Sequence, residues 1–290
     1  MTKTILVTGG NGQLGSELKD LANVYTSYRF VFSDRDEMSI TDEASVRQAF
    51  EKERPDFLVN CAAYTAVDLA ETEKETANEI NGKAVGILAG MCKEFGSRFV
   101  HISTDYVFSG KEQRPLLETD AVDPVNAYGE SKLLGERLAL QYEPASIIIR
   151  TAWVYSAHGK NFVKTMMRLM AERESISVVS DQFGSPTYAA DLAQLIMTII
   201  DSGRWEPGIY NFSNEGIINW FDFAVEIKKQ TGAACTVNPI STDMYPTPAR
   251  RPAYSVLDKS KVRRVYGVQP ANWQESLRHC IGRLNAAATS

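Results

Sequence analysis

The apolar positions change period along the chain. Thr4-Ile5-Leu6-Val7 is a short β-branched run without polar alternation, as expected of a strand covered on both faces. It breaks at Thr8-Gly9-Gly10-Asn11-Gly12, and from Gln13 to Leu21 the apolar residues recur at helical spacing. The alternation repeats with strands at Phe30–Phe32, Phe57–Asn60, Arg98–Ile102 and Ser146–Thr151. Helical stretches lie between them, at Glu43–Lys52, in the region ending at Gly96, and from about Tyr128 to Tyr142. Apolar strands alternating with helices predict a parallel sheet wrapped on both faces, an α/β chain of doubly wound, Rossmann type.

Beyond Thr151 the alternation loosens. Prolines become frequent (Pro186, Pro207, Pro239, Pro246, Pro248, Pro252), and helical patterns stand isolated near Ala190–Ile200 and Phe221–Lys229. The expected organisation is a doubly wound domain over residues 1–151, carrying the chemistry, and a smaller C-terminal lobe mainly over 152–290. Some segments of the second part are expected to return to the first. No low-complexity linker separates the two, so a cleft between them is the expected binding site.

Composition narrows the function classes. A length of 290 residues exceeds a single core of about 100–150 residues. The 44% hydrophobic and 23% charged content excludes a largely disordered chain. With 31 basic and 36 acidic residues the net charge is −5, and no long basic run points to nucleic acid or an anionic membrane. The start MTKTILVTGG lacks the long apolar region of a secretory signal, so a soluble cytoplasmic protein is expected. Cys61, Cys92, Cys235 and Cys280 form neither a CxxC pair nor a cluster with the three histidines, so they read as reduced core thiols.

The glycine-rich stretch contains GxGxxG from Gly10, and it sits where a first strand hands over to a first helix. Bare amides and the helix dipole at such a junction suit a pyrophosphate. Gly9, Gly10, Asn11, Gly12, Gln13 and Leu14 are therefore candidate cofactor contacts, with Gly15 for close packing of helix on strand. Asp34 lies about 20 residues on, at the end of the second strand, where a carboxylate holds the adenosine ribose. Its neighbour Arg35 suits the 2′-phosphate of NADP instead, which leaves the choice between NADH and NADPH open.

Tyr128 and Lys132 stand four apart, on one face of a helix. The lysine is expected to lower the tyrosine pKa from about 10 and to reach the cofactor ribose, making Tyr128 a proton donor. The fourth strand runs into His101-Ile102-Ser103-Thr104-Asp105, which puts the Thr104 hydroxyl at a carboxyl strand end, where doubly wound folds bind ligands.

These motifs, together with NCAAYTAVDLAE (60–71), STDYVFSG (103–110), YGESKLLGE (128–136), RTAWVYSAHGKNFVKTM (150–166), DQFGSPT (181–187) and YPTPARRPAYSVLD (245–258), resemble the extended short-chain dehydrogenase/reductases. Within them the likeness is to the dTDP-4-dehydrorhamnose reductase branch, over nearly the whole chain. The resemblance implies reduction of the 4-keto group of dTDP-4-dehydro-β-L-rhamnose by NADPH or NADH. Tyr128 would protonate the new oxyanion, Lys132 would tune it and bind ribose, and Thr104 would orient the carbonyl. Ala62, Ala63 and Tyr64 would line the cofactor, as would Ser39 and Ile40. Ser39 stands where many relatives have an acid. Val67, Asp68, Asp105 and Trp153 would meet the sugar, and Arg250 and Arg251 its diphosphate.

Some relatives place carboxylates for an interface magnesium where this chain reads YAAD (188–191) and LNAAATS (284–290), so no metal site is expected. A monomer or homodimer is expected. Two other readings stay open: a nucleotide-sugar epimerase or other reductase of the same family, and a noncatalytic NAD(P)-binding regulatory subunit. A dehydratase is disfavoured because Asp105 is followed by Tyr106 and not by glutamate.

Overall fold

The computed structural model describes residues 2–288; Met1 and the last two residues of the LNAAATS stretch lie outside them. In chain order the elements are β1 (Lys3–Thr8), α1 (Gln13–Ala22), β2 (Tyr28–Ser33), α2 (Glu43–Glu53), β3 (Phe57–Asn60), α3 (Lys74–Asn78), α4 (Ala84–Phe95), β4 (Arg98–Thr104), α5 (Ala127–Tyr142) and β5 (Ile147–Thr151). There follow β6 (Val154–Tyr155), α6 (Phe162–Glu172), β7 (Ser175–Val179), β8 (Phe183–Gly184), β9 (Thr187–Tyr188), α7 (Ala189–Asp201), β10 (Gly208–Asn211), β11 (Ile218–Asn219), α8 (Trp220–Thr231), β12 (Thr236–Ile240), α9 (Ser260–Tyr266) and α10 (Trp273–Ala288).

Six strands form one parallel sheet in the order β10-β5-β4-β3-β1-β2. One face packs on α1, α7 and α9 through Leu14, Leu18, Leu192, Ile196 and Val262. The other packs on α2, α4 and α5 through Val46, Phe50, Leu88 and Ala139. Burial on both sides explains the continuous apolar run Ile147-Ile148-Ile149, all of it without solvent exposure. Each such side chain contributes about 1.5–3 kcal/mol.

The sheet has one strand more than the sequence pattern suggests. β10 pairs parallel with β5, and α7 before it covers the same sheet, so residues 189–211 lie against the first domain. A second core gathers Tyr155, α6, β7, Tyr188, α8 and α10 around Phe223, Trp273 and Leu277. A knot of charge around the buried Glu17 joins the two bodies: Glu17 of α1 accepts from Ser156 Oγ at 2.6 Å and pairs with Arg283 of α10, whose guanidinium also holds the exposed Asp20.

The helical region before Gly96 is not one regular helix. Between α3 and α4 the five residues Glu79–Lys83 form a π turn, which sets Asn81 inward against α5. Single π turns of this kind often mark functional positions.

Candidate active site

Registry aligns the carboxyl ends of the strands: Thr8 lies beside Ser33 and Asn60, Asn60 beside His101, and Thr104 beside Thr151. The loop after β1 opens α1 at this edge. Gly9 has φ +64°, and a Cβ there would sit 2.7 Å from the Ala62 amide nitrogen. A Cβ on Gly15 would run into the Gly9 carbonyl, so loop, helix and the strand-end segment at Ala62 meet at distances only glycine allows. Gly12, the residue that caps α1, has no side chain to satisfy the first amides. Bare amides at a helix amino end, in a cradle a Cβ would fill, fit a dinucleotide pyrophosphate.

The predicted cofactor residues divide by what they can offer. Leu14 points its side chain into the core, so only its backbone remains for the loop. Gln13 reaches the second lobe, accepting from Asn161 Nδ2 at 2.9 Å. Asp34 is half-buried and accepts from the Asn11 amide, whose oxygen takes a 2.7 Å hydrogen bond from Lys19. Arg35 is exposed. The Ser39 hydroxyl lies 3.1 Å from that of Thr41, and Ile40 packs on the α2 side of the sheet. Ala62 donates its amide to Thr8 Oγ1 and Asn60 Oδ1, Ala63 is half-buried beside it, and Tyr64 is clamped at both backbone atoms by Asn81.

Thr104, Tyr128 and Lys132 come together between β4 and α5. The Tyr128 phenol hydrogen-bonds Thr104, and Lys132, only 2% exposed, donates to the Ile102 carbonyl at 2.6 Å. Asn126 caps α5 by accepting from the Gly129 amide, and its own amide donates to the Arg250 carbonyl, so the catalytic helix starts against the 245–258 segment. Asp105 is buried; Thr104 Oγ1 donates to its Oδ1 at 3.1 Å, while Oδ2 has no hydrogen-bond partner.

The electrostatics correct one expectation. Burial pushes the Tyr128 phenol up to about 12, where the spacing with Lys132 predicted a lowered value. The ammonium is spent on a carbonyl and is itself brought down to about 8 by burial, so desolvation of the phenolate outweighs it. Burial also raises Asp105, to about 6. A neutral phenol held beside a threonine hydroxyl is a proton store, ready to give once negative charge develops next to it.

On the substrate side Asp68 and Arg251 meet. Arg251 Nη2 lies 2.9 Å from Asp68 Oδ2 and Nη1 3.0 Å from Oδ1, a two-pronged pair that holds the Asp68 carboxyl below its ordinary value. Thr247 Oγ1 and the Ala249 carbonyl take further bonds from the same guanidinium. Val67 is half-buried beside Asp68, and the Arg250 side chain is exposed. Trp153 sits at φ +49° and stacks on Trp220 at 3.7 Å, half-buried between the two lobes. A non-glycine residue in that region is worth attention as a functional position.

Sequence reasoning passed over three neighbours of the triad. Tyr106 meets Tyr128 edge to face at 5.9 Å. Asn81 donates to Ser131 Oγ at 3.0 Å, tying the Tyr64 segment to α5. Glu136 is buried with Ser103 and Arg150. Only Glu136 left a trace, standing eight residues after Tyr128 on the same helical face. Among the described residues Glu17, Asp20 and His158 offer atoms within 4.8 Å of one another, a spacing that would suit a metal ion, but Arg283 already bonds both carboxylates.

Residues 2–286 match the family described as RmlD substrate binding domain. The chain is 42% identical to the spore coat polysaccharide biosynthesis protein SpsK of Bacillus subtilis over 99% of both chains. It is 40% identical to a dTDP-4-dehydrorhamnose reductase of Aggregatibacter actinomycetemcomitans, covering 95% of this chain and 97% of that one. The crystal structure of a dTDP-4-dehydrorhamnose reductase from Bacillus anthracis in complex with NADP superposes with a TM-score of 0.94 at 38% identity, over 98% of this chain and all of the other.

Proposed function

The chain belongs to the RmlD substrate binding domain family, and from that premise we propose how its site works. It is an NAD(P)H-dependent dTDP-4-dehydrorhamnose reductase, turning the 4-keto group of dTDP-4-dehydro-β-L-rhamnose into the alcohol of dTDP-β-L-rhamnose. One observation carries the assignment of roles: a neutral, half-buried tyrosine beside a threonine at the carboxyl edge of the sheet, next to a buried lysine and a glycine cradle for the dinucleotide.

The loop amides and the amino end of α1 hold the pyrophosphate, and Asp34 holds the adenosine ribose. Lys132 keeps two donors beyond the one given to Ile102, and these reach the nicotinamide ribose. The reduced nicotinamide supplies hydride when bound. Thr104 and Tyr128 bond the sugar carbonyl oxygen, and as that oxygen becomes negative Tyr128 passes its phenolic proton to it. The high phenol pKa suits this direction, since reduction starts from the protonated tyrosine. Val67, Asp105 and Trp153 line the sugar position, and Arg250 and Arg251 face the diphosphate. Arg251 holds Asp68 through Nη1 and Nη2, which leaves its Nε–H and a second Nη2 hydrogen for the phosphate. Residues 1–151 bind the cofactor and carry the catalytic groups, and 152–290 serve mainly the substrate, apart from 189–211 and α9, which pack on the first core.

The test is consumption of NADPH and of NADH with freshly prepared dTDP-4-dehydrorhamnose, with identification of the product sugar. Stoichiometric loss of reduced cofactor with formation of dTDP-rhamnose is expected. Sugar isomerisation without net cofactor consumption would replace this reading with an epimerase.

A further inference from the structure

Three side chains of α5 stand in a row, Tyr128, Lys132 and Glu136, each four residues from the next, and all three dock on the stretch Ile102–Thr104 at the end of β4. Tyr128 bonds Thr104, Lys132 bonds the Ile102 carbonyl, and Glu136 Oε1 accepts from Ser103 Oγ at 2.6 Å. Glu136 is 2% exposed, and its other bonds come from Arg150 of β5, Nε at 2.9 Å and Nη2 at 2.7 Å. The carboxylate therefore fastens the catalytic helix to two adjacent strands at the level of the site.

We propose that Glu136 is a positioning residue of this site, acting through Lys132: it fixes the register of α5 on β4 and supplies the negative charge that keeps the lysine an ammonium beside the cofactor ribose. This rests on the reading of Lys132 as a cofactor ligand. The groups facing Lys132 are few. Cys61, just after β3, is a half-buried thiol whose desolvation pushes it far above its usual range, so it carries no charge. His101 of β4 is held neutral by burial, and Tyr128 keeps its proton. Arg150 turns to Glu136 and to the Glu118 carbonyl. Burial pulls the Lys132 ammonium down, and Glu136 is the leading influence that opposes it. A lysine without that carboxylate would lose its proton closer to neutral pH, and with it a donor for the ribose hydroxyls.

The experiment is NADPH binding by fluorescence from pH 6 to 10, on wild type, Glu136→Gln, Glu136→Asp and the double variant Glu136→Gln/Arg150→Met, with the fold of each checked by circular dichroism and melting. The double variant removes both buried charges and covers the case in which Glu136→Gln, with Arg150 stranded, does not fold. Wild-type affinity should weaken as pH rises through the titration of Lys132. In Glu136→Gln and the double variant the midpoint of that loss should move at least about one unit lower, a tenfold change in the proton equilibrium. Binding at pH 6 should stay within about threefold of wild type, and Glu136→Asp, which keeps the charge, should stay near the wild-type midpoint. A merely structural role would lower affinity evenly at every pH. An unmoved midpoint in the folded variants, or a wild type without any alkaline loss, overturns the proposal. Turnover is measured separately: a wild type that binds NADPH with the Glu136-dependent midpoint yet reduces no nucleotide sugar retires the reductase reading and keeps this one.

Discussion

Two carboxylate–guanidinium pairs flank the reaction site, and the same chemistry does opposite work in them. Glu136 and Arg150 are each only 3% exposed in their side chains, locked between β4, β5 and α5, with Ser103 taking up a further lone pair. Asp68 and Arg251 are 39% and 21% exposed and join the loop after β3 to the 245–258 segment. In the first pair each ion depends on the other, because neither has water to fall back on. In the second, water and a phosphate can replace the partner, so the pair holds weakly and exchanges readily. Burial, and not bond length, separates a fastening from a catch.

The sharpest way to break the comparison is to remove one cation from each pair. Arg150→Met should lower folding stability by about 3–5 kcal/mol, since it strands a buried carboxylate. Urea unfolding should show this as a lower midpoint, and a loss below about 1 kcal/mol would mean that water reaches Glu136. Tyr128→Phe comes next in size and touches neither pair. Turnover should fall by about 100-fold or more while NADPH affinity stays near wild type, because the hydroxyl acts on the developing oxyanion. Near-normal turnover would take Tyr128 out of the mechanism.

Arg251→Ala should leave the unfolding midpoint nearly in place but reduce turnover of the whole nucleotide sugar by about 10-fold, the size of one charge-assisted contact. The free 4-keto sugar, already a poor substrate, should be unaffected. Equal losses on both substrates would make the arginine a hinge for closure and not a diphosphate ligand. The smallest effect concerns Asp68. Its carboxyl is depressed by Arg251, so the pair contributes stability above the unfolded carboxylate range and loses it as pH falls through the lower folded value. Asp68→Asn should thus match wild type at acid pH and fall behind by no more than about 1 kcal/mol at neutral pH, as melting curves at pH 3 and 7 will show.

The two pairs also mark where the sequence is readable. Runs such as Ile147-Ile148-Ile149 announce covered strands because burial on both faces removes polar alternation, and Tyr128 with Lys132 announces itself by helical spacing. β10 does not: in Gly208–Asn211 only Ile209 and Tyr210 are apolar, and the buried Asn211 donates its backbone and side-chain amides to Glu118 and the Leu116 carbonyl from far away in the chain. Glu136 shares the helical face of Tyr128 and Lys132, but nothing local tells that it is buried until Ser103 and Arg150 fold around it. Asp68 and Arg251 lie 183 residues apart, beyond any local pattern. Spacing points the wrong way for the Tyr128 shift for the same reason, since it reports that Lys132 is near but not how much water has left.

The knot at Glu17 has a bearing on the order of synthesis. The helix whose amino end receives the pyrophosphate keeps its buried carboxylate without a cation until Arg283 has been made, 266 residues later. At the usual pace of about 5–20 residues per second, that is a delay on the order of 15–50 s on the ribosome. Strand, glycine turn and helix all emerge early, yet the side chain that braces the helix is made long after it, so a chain halted at residue 282 has its nucleotide cradle in full and the post that braces it missing.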